Sequence, residues 1–177
     1  MSSLSRRTVT ALATVATVGA VAFSGGSATA APSAQDTAYI EFAARANLAE
    51  VALGELAQKQ ANSQAVRAFG RDMVKDHSKQ YDQLKSVAAA LGTTVPSVPN
   101  KQQRKIAKLW SGLQGREFTC AYIPFQWDDH QGVIAMTEKE IAEGSDASVK
   151  AAAAAALPVL EEHYEHVTML LGKLKHC

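Results

Sequence analysis

The chain is poor in the residues that would declare most functions. Aromatic side chains make up 6% of its 177 residues, with two cysteines, five prolines and a formal net charge of +1. A chain so close to neutral lacks the excess of Lys and Arg needed to neutralise a nucleic-acid backbone, so no nucleic-acid partner is expected. The five prolines and 11 glycines are too few for a disordered or collagen-like chain. Two cysteines can neither build a disulfide framework nor complete a Cys-rich zinc site. Also missing are a Gly-rich phosphate loop and a nucleophile beside a base, so the reading leans away from an enzyme. What remains is an alanine-rich chain, unbroken from Ala151 to Ala156, of one-domain size and helical expectation.

Residues 1–30 read as a secretory signal peptide: Arg6-Arg7, an apolar Ala/Val/Thr-rich stretch, then small residues through Ala28-Thr29-Ala30, after which cleavage is expected. The apolar stretch falls short of the ~20 strongly apolar residues a span needs. Ser5-Arg6-Arg7-Thr8-Val9 partly resembles a twin-arginine signal, but Thr10 stands where a second strongly apolar residue belongs, so ordinary secretion and twin-arginine export both stay open. Eighteen basic side chains less these two arginines leave 16 against 17 acidic ones, a mature charge of about −1. No second apolar segment follows. The mature protein is expected outside the cytoplasm, secreted or associated with the cell envelope, without an integral span.

After a short linker at residues 31–37, residues 38–175 read as one helical domain. Apolar and small residues recur at helical spacing from 36 to 60, where Asp36 or Thr37 can cap the start. A second helix, capped by Asn62 or Ser63, carries Val66, Gly70, Met73, His77 and Leu84 on one stripe and ends at Gly92. Pro96 and Pro99 make residues 93–100 a connection, and 101–111 a short basic helix. The third long helix, 116–143, aligns Ile123, Trp127, His130, Ile134 and Ile141; the fourth, to about 175, aligns Val149, Ala156, Leu160, His163, Val167 and Leu170. Short turn, long connection, short turn is the order of a ferritin-like up-down four-helix bundle with one long crossover, here carrying a short extra helix.

Each of the last three long helices places one histidine on its apolar stripe, His77, His130 and His163, and the first offers Glu50. Counting ~1.5 Å per residue from the helix ends puts all four near mid-bundle. Three imidazoles and a carboxylate in one layer are costly to desolvate unless paired with one another, water or a metal. These donors suit zinc, copper or iron rather than calcium or magnesium. Met73 and Asp76 are the neighbouring residues able to add a ligand or orient one, and the Ala154 carbonyl, freed by Pro158, is a candidate partner for His163. The Glu-x-x-His motif of di-iron bundles is absent, since Val74, Trp127 and Leu160 stand three residues before the histidines. The alternative is a structural or stress-related envelope protein whose polar layer only fixes helix register.

Glu50-Val51-x-Leu53-Gly54, Met73-Val74-x-Asp76-His77, Gly115-x-x-Phe118 with Tyr122, His130, and Leu157-Pro158-x-Leu160-x-x-His163 together resemble an exported bacterial domain family of unknown function. Its members are often labelled predicted outer membrane proteins and are placed among ferritin-like folds. The resemblance spans roughly residues 38–174 and implies that Glu50, Asp76, His77, His130 and His163 match the family's polar positions; it implies no activity. Thr119 and Cys120 depart from the family pattern of an Asp and a basic residue. No barrel-strand pattern supports the outer-membrane label. Cys120 and Cys177 should lie at one end of the bundle because their helices are antiparallel. An intramolecular disulfide is expected there, with free thiols or an intermolecular bridge as the alternatives.

Overall fold

The computed structural model describes residues 31–174 and Cys177; the signal peptide expected at residues 1–30 lies outside them. Five helices form: α1 Ala34–Gln60, α2 Gln64–Ala90, α3 Lys101–Trp110, α4 Gly115–Glu143 and α5 Ala147–Lys173. No β-strand forms among the described residues.

Local chemistry sets the ends of these helices. α1 begins before the expected Asp36 because Ser33 is the cap. The Ser33 hydroxyl accepts from the Asp36 N–H while the Asp36 carboxylate accepts from Ser33, so Asp36 serves three positions inside the helix as the return half of a capping box. α2 ends in a Schellman turn. Gly92 adopts φ +70°, and the N–H of Thr93 reaches the Ala88 carbonyl at 2.9 Å. Asn100 and Gln103 form a second capping box at α3.

α1 and α2 make one hairpin, α4 and α5 another, and the hairpins meet through α1 against α4 and α2 against α5. The crossover carries α3 across α1. Gln60, at the end of α1, donates to the carbonyls of Trp110 and Ser111 at 3.1 and 3.0 Å, which ties the crossover to the start of α4. At the opposite end Asp36 accepts from the Ser145 N–H (2.8 Å), the Ser145 hydroxyl (2.6 Å) and the Asp146 N–H (3.1 Å), clasping α1 to the α4–α5 turn. Burial alone would raise the Asp36 pKa, but these donors together with Ser33 hold its carboxyl well below the usual range.

Two apolar clusters fill the interior. One, around Leu53, Phe69, Met73, Phe118, Tyr122 and Val167, occupies the end near α3. The other, around Tyr39, Ile40, Ala44, Leu84, Val149 and Ala153, occupies the end near Asp36. Between them lie buried polar residues from four helices: Asn47, Glu50, His77, Gln126, His130 and His163.

The inward face of α4 differs from the apolar stripe expected. Trp127, Ile134 and Ile141 are only half-buried, while Gln126, Thr137 and Glu140 are buried with His130. The core beside this stretch is polar, so a hydrophobicity pattern points to the wrong line of residues.

α1 and α2 approach closely where Gly54 faces Gly70. A methyl group on either glycine would stand 2.8 Å from the other's carbonyl oxygen, and backbone cannot swing aside. Cys120 and Cys177 are joined by a disulfide, Cα atoms 5.5 Å apart, closing a separation of 57 residues.

Two outcomes follow for stability. Gly70→Ala should destabilise by about 1–3 kcal/mol in urea unfolding despite its better helix propensity; an unchanged or higher midpoint would show that the helices can part. Reduction of the disulfide should lower stability by up to about 4 kcal/mol, the loop-entropy value for this separation, and equal midpoints with and without reductant would contradict it.

Candidate metal centre

α2, α4 and α5 each bring one imidazole into the polar layer. His77, His130 and His163 are 1%, 1% and 3% exposed. Their ring centroids are 5.9 Å (His77–His130), 5.2 Å (His77–His163) and 5.7 Å (His130–His163) apart. One nitrogen from each ring lies within 4.8 Å of the other two, and among the described residues these three alone form a group of metal-ligand side chains within such reach. Tetrahedral bonds of ~2.0–2.1 Å place ligating nitrogens about 3.3 Å apart, so modest closure suffices.

Hydrogen bonds decide which nitrogen of each ring carries its lone pair. His77 Nδ1–H donates to Asn47 Oδ1 (2.8 Å), His130 Nδ1–H to the Gln126 carbonyl (2.9 Å) and His163 Nε2–H to Asp76 Oδ2 (3.3 Å). Each partner oxygen can only accept, so the opposite nitrogens, His77 Nε2, His130 Nε2 and His163 Nδ1, hold free lone pairs. All three of those atoms are buried without a protein partner. An oxygen behind each ligating ring is the arrangement that orients imidazoles toward a metal ion.

The protonation states agree. Burial pushes His77 well below the ordinary histidine range, and the neighbouring His130 and His163 add to it. Burial, then His163, brings His130 down to about 4, against a smaller opposing effect of the Gln126 carbonyl. Burial lowers His163 as well, with Asp76 working in the other direction. The rings are thus neutral at physiological pH, the form a metal requires.

Glu50 is placed differently. It is buried and accepts from Gln126 Nε2 at 2.6 Å. Burial, then the charge of Asp129, raises its pKa well above the carboxylate range, while burial also raises Asp129. Burial and the nearness of the two carboxyls favour one proton held between them. Glu50 lies outside the histidine group but shares with His77 and His130 the wall of a cavity of about 30 Å³. Met73 is core, in the apolar cluster with Phe69 and Tyr122. Asp76 stands behind His163, its other oxygen 3.3 Å from Lys75 Nζ. The Ala154 carbonyl does not partner His163, because Asp76 takes one ring nitrogen and the other is unpaired.

The sequence did not single out Asn47, Gln126 or Asp129. Asn47 lies one turn before Glu50 and Gln126 one turn before His130, and helical spacing from the candidate residues would have found both. Asp129 lies next to His130 and reads as a surface acid until its pairing with Glu50 is seen.

A protein-family model described as "Domain of unknown function (DUF4142)" matches residues 22–170. No curated protein and no solved structure matches the chain.

The depressed histidines fix a sign. An unfolded chain takes up protons below the ordinary histidine pKa of 6.5, whereas folded His130 resists until about 4, so its contribution to stability is intact above that window and lost as pH falls through it. In metal-free protein, His130→Leu should therefore gain on the parent by up to about 3 kcal/mol between neutral pH and pH about 4. Parallel pH–stability curves for parent and variant would contradict a buried neutral ring.

Proposed function

The chain belongs to the DUF4142 family, whose function is unassigned, and for this member we propose an exported helical-bundle protein that holds one transition-metal ion between His77, His130 and His163. The observation that carries this reading is the set of three buried imidazole nitrogens without protein partners, each opposite a nitrogen already bonded to an oxygen. Three neutral imidazoles favour zinc, copper or iron over the oxygen-seeking calcium and magnesium. Asn47, the Gln126 carbonyl and Asp76 would orient the rings. Glu50 would ligate only after giving up the proton it shares with Asp129, so it belongs to the site's border.

We read the two-hairpin, one-crossover arrangement as ferritin-like; such bundles build their sites in the core between facing helices. The leader pattern of residues 1–30 and the Cys120–Cys177 disulfide support an extracytoplasmic location. No helix among the described residues is long and apolar enough to cross a membrane. The competing reading, a structural or stress-related envelope protein, draws on the one acceptor each ring already has.

Metal analysis of the exported protein separates them. About one equivalent of metal per chain is expected in the parent and in Glu50→Gln, and none in His77→Ala or His130→Ala. Added at about 100 times its Kd, the metal should stabilise the parent by about 2.7 kcal/mol. No metal at any stage, and no shift in melting temperature with zinc, copper or iron, would overturn the reading.

A further inference from the structure

The cavity beside the histidines has a defined size and chemistry. It runs from His77, His130 and Glu50 toward Tyr39 and Thr137, between small side chains such as Ala46 and Ala156. Its volume of about 30 Å³ compares with a threshold of ~10–15 Å³ for one water, so it has room for about two atoms of that size. In its wall Gln80 Nε2 is a buried donor without a protein partner.

Among the described residues, the carboxylates and the thioether singled out beside the rings are engaged elsewhere, which leaves Gln126 Oε1 as a buried oxygen without a partner in the layer. Glu50 is engaged by Gln126 and Asp129, Asp76 by His163 and Lys75, and Met73 lies in the apolar cluster. A metal held by three imidazoles alone would keep one position, and the cavity adjoins two of those rings.

We propose that this position opens on the cavity and binds an exchangeable ligand of two or three atoms whose far end accepts a hydrogen bond from Gln80. The inference rests on the metal reading above. It concerns ligand exchange alone: His77, His130 and His163 would hold the metal, the incoming molecule would take the position a water could otherwise fill, and no electron or group would be transferred. The class comprises diatomic and triatomic acceptors such as cyanide and azide. A five-membered ring is too large for the space.

The test uses the mature chain loaded with cobalt(II), whose visible absorption reports its coordination. Azide should change that spectrum in a saturable way, while imidazole at the same concentration should not. Ala46→Leu, which adds bulk to the cavity wall, should retain cobalt and weaken azide by about tenfold or more. Gln80→Leu, similar in size, should retain cobalt and weaken azide by about fivefold, the loss of one hydrogen bond; it carries the test if Ala46→Leu fails to fold. Cobalt bound with an azide-silent spectrum, an equal response to imidazole, or undiminished azide affinity in the folded variants overturns this inference and leaves the metal reading standing. Failure of the parent to bind cobalt overturns both.

Discussion

A neutral imidazole buried in a helical core needs an acceptor for its N–H and a donor or cation for its lone pair, and this double requirement, met three times in one layer, organises the molecule. The first half is met within the chain by Asn47, the Gln126 carbonyl and Asp76. Their positions depend on helix height. The Gly54–Gly70 contact sets how closely α1 lies on α2, and so whether Asn47 reaches His77. The two apolar clusters above and below confine the layer, and burying them offsets the cost of desolvating it.

The carboxylates show the same environment-dependence from the other side. Asp36 meets hydroxyl and amide donors on both oxygens and stays ionised. Glu50, surrounded by protein and beside Asp129, is pushed toward its neutral form. Near the Asp36 clasp, burial raises Glu140 too, with the charge of Asp36 adding to it while Gln35 donates to one Glu140 oxygen. Charge in this interior follows the count of N–H and O–H donors within reach and ignores residue type.

Much of this was legible without coordinates. Helix order, the short turns, the Gly92 stop, the crossover helix and the cysteine pair follow from caps, prolines and period. The three histidines stood out because each interrupts an apolar stripe. Hidden were the polar members of the same layer. On α4 the buried line passes through His130 together with Gln126, Thr137 and Glu140, and a hydrophobic pattern assigns these last three to solvent. Met73 was ambiguous for the converse reason, since a thioether on a stripe reads equally as ligand or core until its neighbours are known. Ser33 is hard to read as the cap because Asp36 is itself a favoured capping residue; only the reciprocal bond reveals which of the two lies outside the helix.

The fastenings at the two ends of the bundle differ in kind. At the α3 end the chain is closed by a covalent bond between α4 and the terminus, over an aromatic cluster. At the cavity end the helices are gathered by one carboxylate and the amides it holds. A covalent pivot at one end and a hydrogen-bonded clasp at the other would set the order of opening: loss of the clasp would part the helices at the Asp36 end first, and solvent would then reach the histidine layer before the cluster around Phe118.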